Sequence, residues 1–566
     1  MPMPPSIKRR RSAAFAGLAA GAAALSLVQT PATAATRPAK PPTDTRLGRI
    51  DMDKATIPQL ERLMRSGQLS SVAVTTFYLN RIRRVDPLLH AVLQVNPDAL
   101  AEARLSDRAR RTRGSARLLE GIPVLLKDNV GTHDREHTTA GSLALLGARP
   151  ADAALVTKLR NAGAVIIGKA NLSEWANFRS TQSSSGWSGV GGQTNNPYAL
   201  DRNPCGSSSG SGAGIAASLA QVAIGTETDG SIVCPSGANG LVGVKPTLGL
   251  VSRTGVVPLS AQQDTPGPMA RNTEDAAIVL SAIHGVDAAD PATHEQVGHV
   301  LARYQDGLRG STLAGKRIGL YTQGVLGQTP EGDAVFNAAV AKLKALGATV
   351  VTGADPAGGD AINTAESLAL PLEFKHDINA YLAALPGTHP RDLAGLIAFN
   401  KANARREMPF FGQEIFEQAQ ATSGDETEPA YVKARQDATG GARKALDDVL
   451  GGLKLDAIVS LTNGPAWTTD LVNGDHFSTG SSTFAAVSGY PSVTVPAGYT
   501  NGLPIGISFT GRRWSEETLL RLAFAFEKGN PVRKAPTYAA TLPVSDGVRA
   551  RLQRRGFVGS MQGRIG

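Results

Sequence analysis

Apolar residues recur at helical spacing from Thr56 through Leu60, Leu63 and Met64, and the same period continues over 72–82. This predicts helix across 56–82. Residues 121–127 form an unbroken apolar run that ends on a charge, the pattern of a buried strand carrying Lys127 at its C-terminal end. Helical spacing over 153–162 leads into a second apolar run at 163–168. A helix of small residues is predicted over 211–221, a brief strand over 222–225, and a further helix from Ser231 towards Asn239, before the apolar run at 242–246. The alternation continues with strand at 318–321, helix at 334–346 and strand at 349–352. Residues 355–480 are irregular apart from helical pieces such as 393–405, and a strand is predicted at 455–461. Strands at 492–497 and 505–510 flank Asn501-Gly502, a tight-turn signal. Ser515, followed by Glu516 and Glu517, starts a last helix that Gly529 and Pro531 close. Alternating strand and helix predicts an α/β fold.

Composition narrows the class. Of 566 residues 42% are hydrophobic and 19% charged, which fits a globular chain and excludes a disordered or membrane-spanning one. The net charge is +10, but Lys8, Arg9, Arg10 and Arg11 form a basic cluster ahead of an Ala/Leu-rich run at 13–28. Ala32-Thr33-Ala34 then supplies a small-residue cleavage site, so 1–34 is expected to be a secretory signal peptide. Arg10-Arg11 with Phe15 loosely resembles a twin-arginine signal. That leader holds four basic and no acidic residues, and its removal leaves +6, which makes no case for nucleic acid. The mature protein is expected to be secreted, with no membrane anchor. Residues 35–50 read as a flexible leader and 536–566 as a basic tail. Cys205 and Cys234 are too few for a disulfide framework. A bridge would suit an oxidising compartment, but the expectation is two buried free thiols.

The densest chemistry lies between 204 and 231, where Gly, Ser and Thr expose backbone amides and crowd hydroxyls together. Gly163-x4-Gly168-Lys169 comes near a phosphate loop, but Ala170 stands where a magnesium-binding hydroxyl is required, which excludes the nucleotide class. Gly206-Ser207-Ser208-Ser209-Gly210 satisfies G-x-S-x-G with Ser208 at its centre. No later histidine falls in a recognisable partner loop, and no HGGG motif precedes it. A serine can instead be activated by a lysine. Lys127 would serve if burial beside Ile122, Val124, Leu125 and Leu126 lowered its pKa by about three units; the plainer alternative is an ion pair with Asp128. His133 and His137 lack the partners of a metal site, and no metal or cofactor is expected.

Four motifs in order decide between these. Gly121-Ile-Pro-Val-Leu-Leu-Lys127-Asp128-Asn129, the Gly206–Ser211 run, Thr228-Asp229-Gly230-Ser231-Ile232 and Gly243-Val-Lys-Pro-Thr247 resemble the amidase signature family. The C-terminal runs from Gly489 and Gly502 are similar as well. Within that family, Asn171-Leu-Ser-Glu-Trp-Ala-Asn177 and Glu227-Thr-Asp-Gly-Ser231-Ile-Val-Cys-Pro235 are similar to the bacterial peptide amidases. The resemblance implies one amidase domain over 51–535, with a large mixed β-sheet covered on both faces by helices and a substrate-shaping region at 355–480. It implies Lys127 as base, Ser207 as bridging serine after a cis Gly206–Ser207 peptide, and Ser231 as nucleophile. Backbone N–H groups of Thr228, Asp229, Gly230 and Ser231 would meet the oxyanion. Ser208 and Ser209 would shape the loop, with Thr226 holding one of them. Asp229 and Val233 depart from the family's common Gly and Arg, and an aspartate there would repel an oxyanion unless it turned away. The implied activity is hydrolysis of a small-molecule or peptide carboxamide, with a C-terminal peptide amide as the expected substrate. An aryl or acyl amidase or esterase is the alternative within the family. An exported solute-binding protein, from another class, would have no need of Lys127. Oligomeric state stays open.

Overall fold

The computed structural model describes residues 43–113 and 117–542. The predicted signal peptide and most of the basic tail lie outside the described residues. Among the described residues eleven strands form one mixed sheet: β1 Val92–Val95, β2 Pro123–Lys127, β3 Val165–Ala170, β4 Val222–Glu227, β5 Val242–Lys245, β6 Thr265–Ala270, β7 Arg317–Leu320, β8 Thr349–Val351, β9 Ala457–Leu461, β10 Ser492–Thr500 and β11 Leu503–Thr510. Their order across the sheet is β8-β7-β9-β11-β10-β5-β6-β4-β2-β3-β1. Every residue of β2, β3, β4, β5, β6, β9 and β11 is buried. Because successive side chains on a strand point to opposite faces, this means that both faces of the sheet are covered.

Strand β4 runs parallel to β2 with Leu126 opposite Ile224, and β2 runs parallel to β3. The C-terminal ends of β2 and β4 therefore lie side by side, with Lys127 brought next to Thr226. Two short helices follow the motifs, α1 Ser209–Ala216 and α2 Val233–Ala238. All eight residues of α1 are buried. A Cβ at Gly210 would stand 2.6 Å from the backbone of Asn171, so only glycine allows this approach. Two long helices, α3 Gly359–Ala384 and α4 Pro429–Gly452, dominate the region predicted to be irregular.

Several boundaries differ from expectation. The helical pattern over 56–82 is two helices, Ile57–Arg65 and Ser71–Val85, broken at Gly67, whose φ is +73°. Residues 46–50, expected to end a flexible leader, belong to a short hairpin of Arg46–Leu47 against Ile50–Asp51. The start of the predicted tail is packed: Tyr538 is buried, its hydroxyl accepts from Arg81 Nη2 at 2.8 Å, and Leu200 N–H donates to Ala539 O. Asn501 and Gly502 both have positive φ, as a hairpin turn of the predicted kind requires. Ser515 precedes the last helix, Glu516–Gly529, but its hydroxyl donates to Arg512 O instead of capping it.

Candidate active site

Lys127 is fully buried at the end of β2, behind Val124, Leu125 and Leu126. Its Nζ lies 2.7 Å from Ser207 Oγ and donates to Thr226 Oγ1 at 2.9 Å and Thr226 O at 3.1 Å. Burial pushes the amine down to about 7, against the opposing pull of Asp264 and Glu227. Asp128 does not pair with it. As the next residue it turns to the other side, where its carboxylate accepts from the N–H and hydroxyl of Thr139 and faces Lys169. Thr226 thus holds the lysine through its hydroxyl and carbonyl, and also holds Ser208, whose Oγ accepts from Thr226 N–H at 3.2 Å. Asn129 Nδ2 in turn donates to Thr226 Oγ1 at 3.0 Å.

The serine loop sits across this amine. The Gly206–Ser207 peptide is cis. Ser207 is buried, and its carbonyl accepts from Ser173 N–H at 3.0 Å. Ser208 Oγ donates to Thr226 O at 3.1 Å and Ser209 Oγ to Cys205 O at 2.7 Å, so both hydroxyls are committed to shaping the loop. Ser208 N–H donates to Ser231 O at 3.2 Å, which ties the serine loop to the turn between β4 and α2.

That turn presents an unusual set of donors. Glu227 Oε2 accepts from the N–H groups of Ile232 and Val233, at 2.8 and 3.0 Å, and so satisfies the start of α2. The N–H groups of Thr228, Asp229, Gly230 and Ser231 donate to no described residue. Gly230 has φ +79°, and a Cβ there would also lie 3.0 Å from Ser482 Oγ. Glycine is therefore needed for the turn to keep its shape.

Ser207, Asp229, Gly230 and Ser231 line one cavity of about 350 Å³, with Ser185, Trp467 and Asp475 on its walls. Ser231 is 9% exposed, whereas Lys127 and Ser207 are shielded at 0 and 1%. Among the described residues no histidine, lysine or arginine lines the cavity. The Asp229 carboxyl is held at Ser482 and Thr483 with its Oδ1 buried, and burial pushes it above the ordinary range. A nucleophile elbow at Ser208 has no support here, since that hydroxyl is fully buried and its hydrogen bonds go to Thr226.

The expectation of free thiols is overturned. Cys205 and Cys234 form a disulfide, with Cα atoms 6.0 Å apart across 29 residues of sequence. The bridge joins the residue before Gly206 to the second residue of α2, and so fastens the serine loop to the turn that carries Ser231. Closing a loop of this length contributes about 3–4 kcal/mol. Reduction, or Cys205→Ser with Cys234→Ser, is expected to lower the urea midpoint. It should also reduce turnover by up to about 10²-fold, as displacement of reacting groups does. Unfolding and activity assays with and without reductant check both effects.

Four residues that hold the site are not distinguished by the sequence. They are Asn129, Glu227, Gln263 and Asp264, and Asp264 Oδ1 accepts from Thr228 Oγ1 at 2.6 Å. Asn129 and Glu227 stand inside the motifs that carry Lys127 and Ser231, and a polar residue in such an apolar or Gly-rich run is the available signal. Gln263 and Asp264 reach the site only through folding.

The fold and site have clear relatives. A family model for amidases matches residues 73–520. The crystal structure of native peptide amidase from Stenotrophomonas maltophilia is similar at 48% identity and a TM-score of 0.81, covering 85% of this chain and 98% of that one. The crystal structure of an amidase family protein from Bacillus anthracis is similar at 36% identity and a TM-score of 0.77, covering 85% of this chain and 92% of that one. A probable amidase of Arabidopsis thaliana is 41% identical over 503 residues, 87% of this chain and 93% of its own. With the motifs in order on a matching sheet, the chain belongs to the amidase signature family, hydrolases that act on amide C–N bonds.

Proposed function

We propose that the protein hydrolyses the C-terminal carboxamide of peptides to a carboxylate and ammonia. The observation that carries this is the buried, neutral-leaning Lys127 amine 2.7 Å from Ser207 Oγ, beside the cavity where Ser231 stands among four open N–H groups. Neutral Lys127 takes the Ser207 proton as Ser207 takes that of Ser231. The Ser231 oxygen then bonds to the amide carbon, whose π electrons move onto the carbonyl oxygen. The N–H groups of residues 228–231 receive that oxyanion, and one such donor is typically worth about 2.7–4 kcal/mol. Collapse breaks the C–N bond, with the relay returning the proton so that the nitrogen leaves as ammonia. Water, deprotonated by the same relay, cleaves the acyl-enzyme.

Two observations favour a peptide amide. The similarity to peptide amidase spans nearly the whole of that chain. Among the described residues the cavity is lined by Asp229 and Asp475 and by no cationic side chain, so it suits an uncharged amide terminus better than the carboxylate product. Ammonia release from an amidated dipeptide, absent in Ser231→Ala, tests both the nucleophile and the substrate. Hydrolysis of an aryl amide alone would keep the roles and overturn the substrate.

Export is part of the same proposal. The predicted leader and the disulfide both suit an oxidising compartment. N-terminal sequencing of protein recovered from the culture medium is expected to begin at Ala35; an intact leader on protein held in the cytosol would refute it.

A further inference from the structure

We propose that Gln263 is a positioning residue for the reaction, holding the Thr228–Asp229 peptide so that the Asp229 N–H faces the cavity. This rests on the role proposed above for residues 228–231. Gln263 is buried in the turn before β6, and its Nε2 donates to Thr228 O at 3.2 Å and to Glu366 Oε1 at 2.7 Å. In a trans peptide the carbonyl and the following N–H point in opposite directions. Fixing the Thr228 oxygen towards Gln263 therefore fixes the Asp229 hydrogen away from it, on the side where Asp229, Gly230 and Ser231 line the cavity.

The orientation of the glutamine is itself determined. Arg435 Nη1 donates to Gln263 Oε1 at 2.7 Å. A guanidinium has no acceptor, so the atom facing it must be the amide oxygen, and the –NH₂ group is left for the Thr228 carbonyl. Arg435 is locked in turn by a two-pronged pair with Glu373, at 2.7 and 2.6 Å. Glu373 is fully buried and also accepts from Tyr431 OH at 2.8 Å and Ser260 Oγ at 2.6 Å. The chain of contacts thus runs from α3, which carries Glu366 and Glu373, and α4, which carries Arg435, to the oxyanion turn. Asp264 reinforces it by holding the Thr228 hydroxyl, so the carbonyl and the hydroxyl of Thr228 are both held by the turn before β6.

Each link is made by groups that lose a partner if the next one moves. A buried carbonyl left without a donor is disfavoured, so the glutamine and the turn favour a single arrangement before any substrate arrives. Such preorganisation matters most for the charge that develops in the transition state, and little for binding a neutral amide. The predicted consequence is a split between turnover and affinity.

The test uses Gln263→Glu, which keeps the side-chain shape but offers no N–H to Thr228, and Gln263→Met, which removes both polar atoms. Each is assayed on an amidated dipeptide beside the parent and Ser231→Ala. A peptide aldehyde, which adds to a serine to give an oxyanion, supplies a second readout. In whichever variant keeps the parent's thermal midpoint, kcat should fall about tenfold or more with KM within twofold, and the aldehyde should weaken in step with kcat. Parent-like kcat in both folded variants, or KM rising as kcat falls with aldehyde affinity unchanged, would overturn the proposal. An active Ser231→Ala would instead overturn the role given to Ser231, whatever the glutamine variants do.

Discussion

Lys127→Met is expected to lower kcat for amide hydrolysis by about 10⁴-fold or more, while leaving the protein at least as resistant to urea as the parent. In the relay proposed above, loss of Lys127 leaves Ser231 at its ordinary, weakly nucleophilic hydroxyl pKa. Ser231→Ala should cost about as much, and the double variant little more, because members of a relay act as a unit. The stability half of the expectation follows from burial. An amine held at about 7 instead of 10.5 costs the fold roughly 5 kcal/mol at neutral pH. Methionine has nearly the same length and carries no charge. Its introduction strands little, since Thr226 Oγ1 keeps the Asn129 donor and Thr226 O keeps Ser208. Paired urea titrations and ammonia assays check both halves. An inactive variant that is also much less stable would count against a site maintained at the expense of stability.

The second large effect is the dependence on pH. Protonated Lys127 takes no proton from Ser207, so kcat/KM should fall about tenfold per unit below pH 7 and level off above it. Asp264 raises this pKa, so Asp264→Asn, which keeps an acceptor for Thr228, should move the limb to lower pH. Stability follows the same ionisation. The folded pKa is depressed, so between about 7 and 10.5 the unfolded chain holds a proton that the folded one lacks, and stability rises with pH across that window. The advantage of Lys127→Met should therefore be full below about pH 7 and narrow towards pH 10. A rate profile flat from pH 5 to 8 would remove Lys127 from the proton path.

What could be read from the sequence was chemistry carried in contiguous motifs. Lys127 could be placed on a buried strand because its flank is uniformly apolar, and the strands around Asn501-Gly502 because their turn signal is local. The disulfide could not be seen, because two thiols 29 residues apart meet only when the serine loop docks against α2. Strand β6 was hidden for another reason. Thr265–Ala270 carries Pro266 and Pro268, which argue against a central strand. It pairs with β4 along its full length and with β5 only at Met269 and Ala270, so the proline stretch is paired along one edge. Helices α3 and α4 were obscured by Pro371 in one and Gly440-Gly441 in the other, residues that end helices when burial is ignored. Their packing overrides that preference. The result places Glu366, Glu373 and Arg435 in a region that sequence alone marks as variable and without catalytic motif.

Strands β10 and β11, the last to be synthesised, fill the middle of the sheet between β9 and β5. Until residue 510 has left the ribosome, β5 and β9 each keep one bare edge, and the two halves of the sheet have nothing to join them. At about 5–20 residues per second the interval between completing β5 and completing β11 lasts roughly 13–53 s. Throughout it, a nascent chain offers apolar strand edges that match those of its neighbours on the same message. A chain released before Leu503 is therefore not a smaller enzyme but two open half-sheets, and its natural partner is another copy of itself.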